Sequence, residues 1–424
     1  METKGHGNLE WLETGLRAAL HKDACTLLGQ MLSAPLAAVP GDRLRAGEKR
    51  YGQRRKVIET LLGAVEIRRN YYHCPSAQEG RAPLDEALGL IEGYSPALAR
   101  MMCRAGALSS FQAASADLLA YAGLAVEGRE IQRMVNRVAP QMQATLEAQT
   151  PPAGLRPIPV LYAEADGTGI PTLKEELAGR AGRQPDGSAK TREAKLGCVF
   201  TQQGVDEEGW PLRDPDSTSY VATLQNASAF GGLLRQEGAR RGLASAVQVV
   251  FLGDGAAWVW EAARINFPGA LQILDLWHAQ ENLAELCTTL YGKDSVRALS
   301  QRGLWSERLK EDGIEEILAQ ARSDLPRSGP RRKAAQKQIA YFENNRSRML
   351  YATFRAGGYF VGSGVVEGGC KTVIGHRLKQ SGMFWSSGGA QNVMTTRCAV
   401  LSRRFDTYWD RRNARPDAPS AIAA

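Results

Sequence analysis

Apolar positions recur at near-helical spacing through residues 8–33, where Leu9, Leu12, Leu16, Leu20, Leu27, Leu28 and Met31 predict a helix. A basic stretch containing Pro and Gly follows, carrying Arg43, Arg45, Lys49, Arg50, Arg54, Arg55 and Lys56. From Val57 to His73 the pattern changes to alternating, β-favouring residues on either side of Gly63, which predicts a hairpin. Residues 84–150 return to helical spacing and are Ala-rich with short loops. Beyond the Pro-rich stretch TPPAGLRP (150–157), strands alternate with helices. PVLYAEADGTGI, KLGCVFTQQG and STSYVATL read as strands and SAFGGLLRQEGARRGL as a helix. AVQVVFLGDGAAWVW and ALQILDLWHAQENL each read as a strand running into a helix. The segment from Glu175 to Glu193 is polar, Gly-rich and basic, and predicts a mobile loop. From Asn282 to about Arg355 only helical spacing is found, and the Gly-rich GGYFVGSGVVEGGCK then places Glu367 near a helix start.

Three strands, a helix and two strand–helix repeats is the element order of a ribonuclease H-like sheet. The predicted fold class is therefore α/β: a ribonuclease H-like core interrupted by an all-α insertion, preceded by a helical region and a small β-hairpin. The expected boundaries are 1–83 for the first helix, basic stretch and hairpin, and 84–150 for the helical domain. The core occupies 151–281 and 356–412, the insertion 282–355 and a tail 413–424.

Within 84–150, residues 115–138 have the spacing of a helix-turn-helix. Leu118 and Leu119 precede Gly123, and Val126, Ile131, Met134, Val135 and Val138 follow it. A Gly in the turn lets two helices pack at a steep angle. The second helix would then expose Arg129, Gln132, Arg133, Asn136 and Arg137, side chains suited to phosphates and base edges. A plain helical hairpin accounts for the same pattern, and Glu127 and Glu130 dilute the basic face.

Composition narrows the picture modestly. At 424 residues the chain exceeds what one hydrophobic core usually serves. Its formal charge of +8 suits a polyanionic partner. Seven cysteines are scattered and form no C-x-x-C pair, so neither a zinc ribbon nor a disulfide framework is indicated. METKGHGNLEWLE lacks the layout of a signal peptide, and no stretch approaches a membrane span, so a cytoplasmic protein without a membrane partner is expected.

The candidate chemistry lies in acids selected by position. Asp166 and Asp254 each close a strongly apolar strand and are each followed by Gly. An unpaired carboxylate beside a buried strand is costly unless a cation or donor satisfies it. Mg²⁺ takes carboxylate oxygens and keeps several waters, so a few acids on a rigid sheet edge suffice. Asp-Gly is also an ordinary turn, and it is the matching topological positions that select these two. Asp275 and His278 stand where the next strand gives way to a helix. Glu164, two residues before Asp166 on the same strand face, is a rival ligand.

With these residues in view, the chain resembles the DDE transposases of bacterial insertion sequences, specifically the Kra-type family, which is similar to the Mutator-like transposases. The resemblance rests on AEADGTGI, FLGDGAAWVW, ILDLWHAQENL, GSGVVE and the following HRLKQSGMFW, within residues 50–412. It implies Asp166, Asp254 and Glu367 as catalytic and metal-binding residues, with His278 catalytic and Asp275 accessory. It further implies two Mg²⁺ or Mn²⁺ ions per site, and double-stranded DNA, both transposon ends and target, as partner. A homo-oligomer, a dimer on paired ends, and a bacterial cytoplasm with the protein nucleoid-associated when DNA-bound complete the expectation. Relatives often carry a Cys-rich knuckle after a YYHC segment, whereas here PSAQEGRAP follows Cys74. Lys371, Arg377 and Lys379, just beyond Glu367, are expected to meet DNA phosphates. Met383, Phe384 and Trp385 suit either stacking on a base or core packing. The alternative function is that of an inactive or domesticated relative acting as a sequence-specific DNA-binding regulator.

Overall fold

The structure, a computed structural model, describes residues 8–33, 39–149, 156–182, 184 and 187–413. Most of the Pro-rich boundary at 150–157 and nearly all of the tail lie outside these residues. The chain divides into two compact units, one reaching to Gln141 and taking in the segment from Phe405, the other Met142–Arg404.

The first unit opens with helix α1 (Leu9–Ser33). The ribbon β1 (Lys49–Thr60) and β2 (Gly63–Cys74) follows, flanked by β3 (Glu79–Arg81) in an antiparallel sheet. The hairpin is longer than the alternation alone predicted. Most of the basic stretch is strand, because Lys49 to Lys56 find register partners on β2 at His73 to Ile67. Ile58, Val65, Ile67 and Leu84 form a small core against which Cys25, Leu28 and Leu32 of α1 pack. The opposite face of α1 leaves Leu9, Leu12, Leu16, Leu20, Leu27 and Met31 more than half exposed.

A short helix α2 (Pro83–Ala87) leads to α3 (Pro96–Leu108), α4 (Phe111–Ala122) and α5 (Gly128–Glu147). Ser95 and Ser110 cap α3 and α4 by accepting from Leu98 N–H and Ala113 N–H. Gly123 ends α4 in the left-handed region at φ 68°, so the expected helix–turn–helix order is present. On α5 Ile131, Met134, Val135 and Val138 are buried, and Arg129, Gln132, Arg133, Asn136 and Arg137 are exposed.

The second unit is built on a six-stranded sheet. Its strands are β4 (Ile158–Pro171), β5 (Thr191–Val205), β6 (Pro211–Arg213), β7 (Ser219–Thr223), β8 (Ala246–Gly253) and β9 (Leu271–Leu274). The order is β6-β5-β4-β8-β9, with β7 also paired to β5. β4, β5 and β7 are antiparallel neighbours, whereas β8 and β9 run parallel to β4. Helices α6 (Ala227–Arg240) and α7 (Ala257–Asn266) connect β7 to β8 and β8 to β9, and α8 (Leu276–Tyr291) leaves the sheet after β9. The fold of this unit is mixed α/β, as expected at that level.

β4 does not stop at Asp166, as the sequence pattern suggested. It continues to Pro171 because β5 pairs with it as far as Thr191. Only its parallel pairing with β8 ends, at Ala165 opposite Gly253.

The expected helical insertion follows as α9 (Val296–Lys310), α10 (Ile314–Ser323), α11 (Pro330–Asn345) and α12 (Tyr351–Ala356). It braces the sheet edge. Tyr341 Oη donates to the Asp254 carbonyl (3.3 Å), Tyr351 Oη to the Leu274 carbonyl (3.0 Å) and Arg348 Nε to Gln272 Oε1 (2.7 Å). The chain then returns through α13 (Gly364–Gly369), a π-helical turn at Cys370–Gly375, α14 (His376–Leu378) and α15 (Ser387–Leu401). The last helix, α16 (Phe405–Asn413), belongs to the first unit rather than to the end of the core. Its Asp406 and Asp410 accept from Arg100 of α3 at 2.7 and 3.4 Å, which ties it there. Among the described residues, no helix is long and apolar enough to cross a membrane.

Candidate active site

Three acids come together because the parallel pairing of β4, β8 and β9 ends in step. Ala165 of β4 is in register with Gly253 of β8, and Gly253 with Leu274 of β9. The next residues along are Asp166, Asp254 and Asp275. Neighbouring strands lie about 4.8 Å apart, so the three carboxylates emerge from adjacent positions on one sheet edge. The edge is turned sharply at Gly255, whose φ of +97° and 2.5 Å clearance to Tyr341 Oη exclude a side chain. Asp254 Oδ1 accepts from Ala256 N–H at 2.9 Å across that turn, and Asp166 Oδ1 accepts from Gly167 N–H at 2.6 Å.

Asp275 is the N-cap of α8 and is wholly buried. Both its oxygens are occupied. Oδ1 accepts from His278 N–H at 2.8 Å and lies 3.0 Å from His278 Nδ1. Oδ2 accepts from Ser363 N–H at 2.5 Å and from the Ser363 hydroxyl at 2.9 Å. Burial works against its charge, but these four hydrogen bonds outweigh it and hold the carboxyl below its ordinary range. His278 is pushed up to about 9, first by its bond to Asp275, against partial burial, and then by the charges of Asp275, Asp254 and Glu367. It is therefore an imidazolium at neutral pH.

Glu367 arrives from the other side. It lies in the first turn of α13, with Oε1 3.4 Å from the Ser363 hydroxyl and 4.0 Å from His278 Nδ1. Ligand atoms of Asp275, His278 and Glu367 all fall within 4.8 Å of one another. Gly369 lets α13 lie this close to the sheet, since a Cβ there would meet Tyr220 at 2.7 Å and Leu196 at 3.0 Å. The π-helical turn follows directly, a distortion often found beside functional groups.

The electrostatics of the edge are unbalanced. Asp254 is raised above its ordinary value by burial first and by the charge of Asp166 second, with the Ala256 N–H and His278 acting in opposition. Burial, and then Asp166, raise the Cys370 thiol. Glu164, the rival ligand, is fully buried and pushed up to about 8 by burial. Its Oε2 accepts from Val366 N–H at 2.8 Å, and its Oε1 has no hydrogen-bond partner among the described residues. Burial disfavours its charge, and its bond to Val366 makes it a brace beneath α13.

The remaining expected residues are dispersed. Lys371 and Lys379 are exposed beyond Glu367, and Lys379 Nζ donates to the Thr168 hydroxyl, two residues past Asp166. Arg377 departs from expectation. It is wholly enclosed, with its guanidinium 5.0 Å from the Trp385 ring centre and Nη1 3.8 Å from Met383 Sδ. Burial and Arg397 lower it to about 10, and it is not presented to an external phosphate. Trp385 packs, donating Nε1–H to the Leu378 carbonyl at 3.0 Å, while Phe384 stays exposed. On α5, Arg129 pairs with Glu127 at 2.6 Å, Arg133 with Glu92 and Glu130 at 3.0 and 2.5 Å, and Arg137 with Glu92 at 3.8 Å. Ser363 and Cys370 were missed from the sequence. Ser363 sits in the quoted GSGVVE, but nothing local marks a serine as the link between Asp275 and Glu367.

No family model matches the chain. Among curated proteins it is similar to a UPF0236 protein in the vanSb 3′ region of Streptococcus gallolyticus. The two are 26% identical over 373 residues, covering 85% of this chain and 75% of that protein.

Proposed function

We propose that this chain is a DNA transposase whose second unit is a ribonuclease H-like catalytic core. The observation that carries the reading is that Asp166 and Asp254 follow register-matched residues of parallel strands, while Glu367, which comes after the helical insertion, lies 4.0 Å from the ring of His278 beside Asp275. The donor set fits hard divalent cations. Asp254, raised by its partial burial and then by the charge of Asp166, carries an electrostatic cost that a cation offsets. Asp166, Asp254 and Glu367 would hold two Mg²⁺ or Mn²⁺ ions. When bound, such ions activate an attacking oxygen and stabilise a leaving one in an in-line displacement.

The protein groups divide the remaining work. Asp275 has both oxygens committed, which suits a positioning role better than a ligand role. It fixes the ring of His278 through Nδ1, leaving Nε2 as the nitrogen available to a phosphate oxygen. The imidazolium then places positive charge where a phosphodiester gains negative charge. Ser363 ties Asp275 to Glu367, so α8 and α13 are set by one hydroxyl. Lys371 and Lys379 offer a positive approach for backbone phosphates. In this reading water attacks at the transposon end and the freed 3′-hydroxyl attacks target DNA. The exposed row Arg129, Gln132, Arg133, Asn136 and Arg137 is proposed to contact DNA.

The test uses duplex DNA carrying the sequences that flank the coding region. Incubation with Mg²⁺ or Mn²⁺ is expected to cut it at defined positions, and Asp254→Ala to abolish cutting without unfolding the protein. Tight, sequence-specific binding with no nicking in either metal would favour the DNA-binding regulator instead.

A further inference from the structure

The β1–β2 ribbon carries a charge arrangement that the site does not use. The eight residues Lys49–Lys56 include five basic side chains and no acid. Arg54 stands directly across from Arg69, and Arg55 from Arg68. Like charges facing each other across a ladder destabilise it. Some of this is neutralised internally. Asp85 takes both Lys56 (2.8 Å) and Arg69 (2.7 Å), Glu66 lies 3.6 Å from Arg55, and Arg50 donates to Asn70 at 3.1 Å. Lys49, Arg54 and Arg68 are exposed and make no ion pair or side-chain hydrogen bond among the described residues. Charged edge strands commonly guard against sheet-to-sheet pairing, and β1 is an edge. That does not account for arginines set opposite arginines across the ladder.

We propose that the β1–β2 ribbon is a binding surface for the phosphodiester backbone of duplex DNA, engaged through Arg55 and Arg68 on one face, Arg54 on the other and Lys49 at its end. A guanidinium offers a planar fork of donors that matches phosphate oxygens. The ribbon spans roughly 40 Å at about 3.4 Å per residue, and a two-stranded ribbon fits a major groove about 12 Å wide. The choice of DNA among polyanions rests on the reading of the chain as a transposase; the charge pattern stands without it.

The experiment measures fluorescence anisotropy of a labelled 30-base-pair duplex of arbitrary sequence with full-length protein, in EDTA so that cleavage plays no part. Salt is varied between about 50 and 200 mM, a range over which phosphate contacts are strongly screened. The variant Lys49→Gln/Arg54→Gln/Arg68→Gln is expected to bind at least about 10-fold more weakly. Its slope of log K against log salt should be shallower by about 2.7, at about 0.9 for each phosphate no longer neutralised. Glu59→Gln/Glu66→Gln, which raises the ribbon's charge, is expected to bind more tightly. Unchanged affinity and slope in both variants, with unfolding temperatures intact, would overturn the proposal. So would binding of polyglutamate as tight as binding of duplex. Wild-type protein that binds through the ribbon but never cuts in Mn²⁺ sinks the catalytic reading and leaves this one standing.

Discussion

The sheet edge at Asp166 and Asp254 and the ribbon at Lys49–Lys56 both gather charge of one sign, yet they tolerate it by different means. At the edge the carboxylates are partly buried, so neighbouring charge is felt through a poorly screening medium, and Asp254 is held above its ordinary value. On the ribbon the arginines face water, where repulsion over a few ångströms is modest and salt weakens it further. A third cluster, at Glu237, shows what internal balance looks like. Burial alone would raise that buried carboxyl, but Arg404 (2.7 Å) and Arg240 (2.6 Å) outweigh it and hold it low. Among the described residues Asp166 and Asp254 form no ion pair, and His278 is the cation that lowers Asp254. A buried excess of charge points to a fixed counter-ion, and an exposed excess to a diffuse, salt-sensitive one.

The comparison can be tested in order of expected effect. The largest is Asp254→Asn, which should lower metal-dependent cleavage by about 10³-fold or more, as loss of a charge-organising group does. In EDTA its unfolding temperature should not fall below wild type, because the repulsion with Asp166 is gone. A clear drop would mean that Asp254 is structural. Next, Glu237→Gln strands Arg240 and Arg404, and should cost about 3 kcal/mol in denaturant unfolding. Glu237 is depressed in the folded state, so its contribution is complete above the unfolded carboxylate value and is lost as pH falls through the lower folded one. Acid titration of wild type against Glu237→Gln measures this.

A smaller effect concerns His278, which is raised to about 9 in the fold from an ordinary 6.5. Its contribution to metal-free stability is complete below the unfolded value and is lost as pH rises through about 9. Stability in EDTA should therefore decline from pH 7 to 9, and His278→Gln should flatten that decline. The smallest effect belongs to Lys49→Gln/Arg54→Gln/Arg68→Gln, which should stabilise the free protein by a few tenths of a kcal/mol at low salt and by nothing measurable at 1 M.

Much of this was legible in the chain because the relevant signals are local. The period of Ile131, Met134, Val135 and Val138 separates buried from exposed residues on α5, and Gly123 marks the turn between α4 and α5. Apolar runs ending in Asp-Gly located Asp166 and Asp254, although β4 runs on because its antiparallel partner continues beyond the parallel one. What was hidden depends on contacts between distant positions. Arg377 reads as one of several basic residues, and only the packing of Trp385 and Met383 makes it internal. Glu164 and Asp166 look equivalent on one strand, and it is Val366, some 200 residues later, that covers the first. Ser363 gains its place only when α13 meets the N-terminus of α8. The basic stretch showed its charge but not its strand, which requires β2 as partner.

Calorimetric titration of Mn²⁺ into the full-length protein tests most directly whether the carboxylate edge is built around divalent cations. Wild type should bind with measurable heat, and Asp166→Asn/Asp254→Asn should lose that binding while unfolding in EDTA no earlier than wild type. Wild-type protein that takes up no Mn²⁺, or a double variant that binds it as well as wild type does, would contradict the account.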